Sequence, residues 1–179
     1  MGRMSNSRII EILEEGGYTD AARYLRRMLK KDIKFTKNHD RVLILLYILG
    51  TLDRPLKVPQ RTSQTDPNKK LTRPLDFWNA IEWLYDGAAN TFKARFNELK
   101  ANTDFVESRR FGEYGITYLG VQKTRELIEY DRDARNYLYD LLYKIYDEDT
   151  KRARYFRHIL SVTGNFHPIK YENVKALVI

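Results

Sequence analysis

Residues 92–127 read FKARFNELKANTDFVESRRFGEYGITYLGVQKTREL, and the succession of periodicities inside this stretch sets the fold. Phe92, Phe96 and Leu99 stand at i, i+4 and i+7, one apolar stripe of a helix that starts at Ala89 or Asn90 and ends at Lys100 or Ala101. With that stripe turned inward, the opposite side carries Asn90, Thr91, Lys93, Ala94, Arg95, Asn97 and Lys100, all small, amide or cationic apart from Glu98. Residues 105–110 then turn β-like, residues 111–115 supply Gly112 and Gly115 for a turn, and residues 116–119 return as a second strand. This is a β-hairpin, and from Val121 onward the pattern is helical again.

Upstream, residues 75–85 predict a helix with Phe77, Ile81 and Leu84 inward and Trp78 alongside, broken by Asp86-Gly87-Ala88. The stretch 53–74 carries four of the five prolines and reads as loop, apart from a brief strand at Leu56-Lys57-Val58. Residues 54–73 hold six basic side chains against one acidic, Lys69 and Lys70 among them. A long basic loop of this kind is either a mobile linker or an arm that orders on a ligand. Before it, a helix opening at Asn38 or His39 is apolar nearly all round from Val42 to Leu49, as a central buried helix should be, and Gly50 stops it. At the N-terminus, residues 7–15 and a second segment capped by Thr19 or Asp20 form a short helical hairpin joined by Gly16-Gly17.

Downstream, Leu127, Ala134 and Leu141 recur every seven residues, with Tyr130, Tyr137, Leu138, Leu142 and Ile145 beside them, until Asp147-Glu148-Asp149 marks an end or a kink. That stripe is more apolar surface than one small domain readily covers, so a partner helix is expected on it. The plainer alternative is that it packs on the N-terminal hairpin. Residues 123–149 hold five basic and eight acidic side chains, a sign suited to a surface facing away from a polyanion. A last helix spans about 150–162. Three domains are expected: a helical hairpin over 1–36, a central unit over 37–120 with a basic insertion at 59–73, and a C-terminal helical arm over 121–179.

The 179 residues, 42% apolar and 13% aromatic, suffice for a packed core. The absence of cysteine removes disulfides, thiolate metal sites, iron–sulfur clusters and cysteine nucleophiles. The longest apolar run, 42–49, is far short of the ~20 residues a membrane span needs, and no signal-peptide pattern opens the chain, so a soluble, cytoplasmic protein is expected. A formal charge of +8 favours a polyanionic partner, although a basic surface kept for solubility has the same composition.

Helix, brief strand, helix, tight turn, helix, hairpin, helix over roughly 38–130 is the winged-helix order, which makes the fold class α+β, mostly α. The 92–127 segment resembles the corresponding stretch of winged helix-turn-helix transcription regulators of the MarR, PadR and ArsR type. Leu99, Phe105, Val106, Glu107, Arg109, Arg110, Gly112, Gly115, Leu119, Arg125, Glu126 and Leu127 take the places of their pattern, and residues 51–58 look like the short strand between the first two helices. Two features differ: residues 59–73 are inserted, and Gly120 stands where such proteins often carry a Thr or Ser that caps the last helix.

The resemblance implies sequence-specific binding of double-stranded DNA, with helix 90–100 in the major groove and the wing 105–119 on the backbone or minor groove. The expected DNA-binding residues are Asn90, Thr91, Lys93, Ala94, Arg95, Asn97 and Lys100 of the helix, Arg109, Arg110 and Tyr114 of the wing, and Lys69 and Lys70 of the basic loop. It also implies a two-fold dimer through Leu127, Tyr130, Ala134, Tyr137, Leu138, Leu141 and Ile145, and a nucleoid-associated transcription regulator.

No cofactor or metal is expected. His39, His158 and His167 form no close metal-ligand spacing with acidic residues, and phosphate-loop, nucleophile-elbow and paired-histidine motifs are missing. An enzyme such as a nuclease is the weakest reading, so no catalytic activity is expected. The rival class is a protein-interaction or scaffold module, for replication, partition or virus assembly, in which the winged fold and the Tyr-rich helices bind another protein.

Overall fold

The computed structural model describes residues 5–29, 34–59, 73–167 and 172–173. Among them the chain is mostly helical with one small three-stranded antiparallel sheet, an α+β fold dominated by α. Helices α1 (Asn6–Glu15) and α2 (Thr19–Leu29) pair as a hairpin. The Ser5 hydroxyl caps α1 by accepting the Arg8 N–H, and Gly17, at φ 82°, makes the left-handed turn into α2 that a Cβ would strain.

Helix α3 (Lys37–Leu49) is the centre of the molecule. Residues 42–46, with Ile48, are wholly buried, because helices or strands lie against α3 on several sides: α4 (Pro74–Tyr85), α5 (Ala89–Asn102), α6 (Tyr118–Tyr130), α7 (Arg132–Leu142) and strand β3 (Glu113–Ile116). A helix covered on so many sides must be apolar around its whole circumference. Strands β1 (Leu56–Lys57) and β2 (Val106–Glu107) flank β3 in the order β1-β3-β2, with Leu56 opposite Tyr114 and Val106 opposite Ile116. Pro74 starts α4, where its missing N–H costs nothing, and Asp86 ends it in the left-handed conformation at φ 58°.

The returning strand is Glu113–Ile116 rather than 116–119. The Thr117 side chain ends it by donating to the Asp104 carbonyl and accepting the Gly120 N–H at 3.1 Å, which caps α6 at once. Ile116-Thr117-Tyr118-Leu119 alternates like a strand, yet Tyr118 and Leu119 already lie on the first, exposed turn of the helix. The cap that Gly120 was expected to lack is therefore supplied three residues earlier.

The long helix expected from Val121 is two helices. Asp131 ends α6 and caps α7, its carboxylate accepting the N–H groups of Asp133 and Ala134. A π-helical turn (Tyr143–Asp147) and α8 (Lys151–Val162), capped by Thr150, follow; α8 packs on α4.

The heptad-like stripe is corrected by this packing. Ala134, Tyr137, Leu138, Leu141 and Ile145 are buried inside the chain, not presented to a second copy. Helix α7 turns the first four onto α3, Ile145 follows on the π-helical turn, and the Tyr137 hydroxyl donates to the Leu84 carbonyl at 2.9 Å. Leu127 is half-buried against the same core, and Tyr130 is exposed. The C-terminal helices thus share the core cluster of residues 42–116. Among the described residues no helix is long and apolar enough to cross a membrane.

Candidate nucleic-acid interface

Helix α5 and the β2–β3 hairpin lie side by side because one aromatic cluster ties them together. Phe92, Phe96 and Leu99 are buried, as their spacing requires. The Tyr114 ring of β3 stands edge-on to Phe96 at 4.7 Å, Phe92 at 5.5 Å and Trp78 at 5.8 Å, separations at which aromatic quadrupoles attract. Tyr114, expected to touch DNA, is half-buried as the clasp between hairpin and helix, and burial raises its phenol pKa.

Between α5 and the hairpin runs an open groove of about 690 Å³. Lys93, Asn97 and Lys100, at spacings of four and three, line it from the helix; Arg109 and Arg110 line it from the hairpin tip. Its floor is Trp78, Phe96 and Tyr114. The Lys93 ammonium sits 4.3 Å from the Trp78 ring centroid, a cation–π contact that holds it over the floor. Among the described residues Glu113 is the one acidic residue lining the groove, and its carboxylate lies 4.0 Å from Lys57 Nζ.

The hairpin tip is itself well held. Glu113 N–H donates to the Arg110 carbonyl at 3.1 Å, the Ser108 hydroxyl to the same carbonyl at 2.9 Å, and Val58 N–H to the Gly112 carbonyl at 2.9 Å. Gly112, at φ 80°, makes the turn.

The other expected residues divide. Arg95 points away from the groove: its guanidinium lies 3.4 Å from the Glu98 carboxylate, whose other oxygen meets Nε2 of the buried His39 at 2.6 Å. The Thr36 N–H donates to Nδ1 of the same His39 at 3.0 Å, so this histidine braces the start of α3 against α5. Asn90 is exposed, and Thr91 and Ala94 half-buried, all outside the groove lining. Lys69 and Lys70 lie outside the described residues. Trp78, read from the sequence only as standing alongside a helix's inward face, and Phe111 are not among the expected site residues, yet both line the groove. The only signal for Phe111 is an aromatic between Arg110 and Gly112, where a turn ordinarily carries a polar residue.

A second, smaller cavity of about 200 Å³ is lined by Asp40, Arg41, Asp86, Asp133, Tyr137 and Asp140, among others. Asp40 Oδ1 is buried with no hydrogen-bond partner among the described residues. Burial first, and then the charge of Asp131, raise the Asp40 pKa to about 6. Above pH 6 the folded chain carries a carboxylate that burial disfavours, and this penalty is relieved as the pH falls through 6 toward the ordinary value of 3.8. Asp40→Asn is therefore expected to stabilise the protein by roughly 1 kcal/mol at pH 8 and to change little at pH 4, read as unfolding midpoints at the two values. Equal effects at both would show that Asp40 is not the titrating group. Among the described residues no group of three or more histidines and carboxylates could hold a metal ion.

No protein-family model matches the chain, and neither a curated protein nor a solved structure matches it.

Proposed function

We propose that residues 37–117 form a winged helix-turn-helix and that the protein binds double-stranded DNA sequence-specifically as a transcription regulator. Helix α5 enters the major groove, and the β2–β3 hairpin serves as the wing on the backbone or minor groove. The order α3, β1, α4, α5, β2, β3 and the sheet order β1-β3-β2 support the fold reading. The observation that carries the function is the groove between α5 and the hairpin. Lys93, Lys100, Arg109 and Arg110 converge on it with Asn97 among them, cations for phosphates beside an amide that suits the edge of adenine. A homodimer, which this reading carries with it, would use surfaces other than the buried stripe, Tyr130 among them.

The test is a salt titration of binding to a labelled duplex, coupled to selection from a randomised duplex pool. With four phosphate-contacting cations, log affinity should fall against log salt with a slope of about −3.6, and the pool should converge on one motif. Salt-dependent binding without enrichment would reduce the protein to a non-specific binder. No binding at ~50 mM salt would overturn the proposal and favour the second reading, a protein-interaction module, for which the exposed Tyr139, Tyr143 and Tyr155 supply amphipathic contact surface.

A further inference from the structure

We infer that Phe111 is a wedge that enters the minor groove of duplex DNA and partly unstacks one base step, so that the protein bends its site. This rests on the reading of the chain as a duplex-binding protein and goes beyond it, since the cationic groove accounts for phosphate and base-edge contacts without any distortion of the DNA.

Phe111 stands at the tip of the hairpin with a relative exposure of 102%, the largest among the exposed hydrophobic side chains of the molecule's described residues. Among the described residues nothing shelters the ring, yet its backbone is fixed. It is the second residue of a turn closed by the Glu113 N–H to Arg110 carbonyl bond, Gly112 follows at positive φ, and the Gly112 carbonyl accepts the Val58 N–H of the neighbouring strand segment. The tip is thus a preorganised mount for a ring held in water. A turn with a positive-φ glycine in third place ordinarily carries Pro or a polar residue in second place, and the aromatic here is hydrated apolar surface that a partner would remove from water.

The surroundings specify the chemistry of that partner. Arg109 and Arg110 precede the ring and are both exposed, and Lys93 and Lys100 stand across the groove. A protein pocket built for one phenylalanine would have to desolvate or match these four cations, whereas a duplex offers phosphates on both sides of a stack of apolar base faces. Proteins that bend DNA from the minor groove frequently insert an apolar side chain between base pairs with cations on the flanking backbone, and the duplex then kinks toward the major groove, the side on which α5 would lie. Pyrimidine–purine steps such as TA and CA unstack at least cost, so the sites this protein selects should carry one where the tip reaches.

The experiment uses the full chain and duplexes of about 25 base pairs carrying the selected motif, end-labelled for energy transfer, with 2-aminopurine at the central flexible step. The wild type should bend the duplex by about 20–90° and brighten the 2-aminopurine as it unstacks. Phe111→Ala should lose both signals and bind roughly tenfold more weakly with an unchanged salt slope, because no charge is removed. Phe111→Leu, which keeps an apolar wedge, should retain most of the bend. Unaltered thermal unfolding of Phe111→Ala is expected, since the ring touches no core. If Phe111→Ala binds and bends the duplex as the wild type does, or if the wild type leaves the duplex straight and stacked, the wedge is overturned while duplex binding stands. If the wild type binds no duplex at all, the failure lies with the DNA reading and the wedge falls with it.

Discussion

Replacing Lys93, Lys100, Arg109 and Arg110 together by glutamine should lower affinity for duplex DNA about four-thousandfold at 0.1 M salt and bring the salt slope from about −3.6 to near zero. Each cation that neutralises a phosphate releases close to one condensed counterion, and at 0.1 M each release is worth nearly a factor of ten. Glutamine, though shorter, keeps a polar, uncharged hydrogen-bonding end, so a change in the salt slope reports charge rather than packing. Among the described residues only Lys93 has a side-chain contact to forfeit, its seat over Trp78, which at a partly exposed site contributes about 0.5–1 kcal/mol. Arg95→Gln is the internal control. Its guanidinium is engaged by Glu98 on the α3 side of α5, so the slope should not move even though Arg95 lies on the same short helix as Lys93 and Lys100. An unchanged slope in the quadruple variant would remove the groove from the binding surface.

Gly120→Ala should be the most damaging glycine-to-alanine change among the described residues. A Cβ at this position would come within 2.1 Å of the Phe105 carbonyl oxygen and 2.6 Å of Ile116 Cγ1. Neither neighbour has room to yield. The Phe105 carbonyl is backbone that accepts the Thr117 N–H at 2.9 Å, and Ile116 is buried in register with Val106. Relief requires the first turn of α6 to lift off the base of the hairpin, breaking the Thr117 cap and the Thr124 hydroxyl bond to the Gly120 carbonyl at 2.8 Å. The expected cost is about 3 kcal/mol, the upper end for overpacking, or a fall of roughly 6–12 °C in the melting midpoint for a chain of this length. Since the same junction sets the angle of the hairpin against α5, duplex affinity should fall as well. A variant that melts with the wild type would mean that α6 and the hairpin are not in this contact.

Much of the fold is legible along the chain, and the reason is local. Phe92, Phe96 and Leu99 announce a one-sided helix, the run from Val42 to Leu49 announces a central one, and Pro74, Gly50 and Asp86-Gly87 punctuate them. These signals act over one or two helical turns, so neighbouring residues suffice to read them. The misread boundary at 116–119 is also local: a β-branched threonine looks like strand until its hydroxyl is seen to cap a helix.

The candidate site was legible in kind but not in direction. That α5 carries cations on its outer side follows from the stripe; that Lys93 and Lys100 face the hairpin while Arg95 faces His39 and Glu98 depends on which helix packs where. Trp78 comes from α4, 15 residues before Lys93, and only the meeting of α4, α5 and β3 makes it a floor.

Residue order thus settles where helices begin and end, which flank of each is greasy, and that the chain is a basic one without thiol chemistry. It could not say what each greasy flank lies against. The band from Ala134 to Ile145 reads as a dimer seam, or else as a face packed on the N-terminal hairpin, and the structure gives it instead to α3, which lies across the space that a second copy would have filled. Periodicity is a property of near neighbours, whereas burial is won between segments about a hundred residues apart, and the hydrophobic effect carries no label for the partner that removes water from a surface.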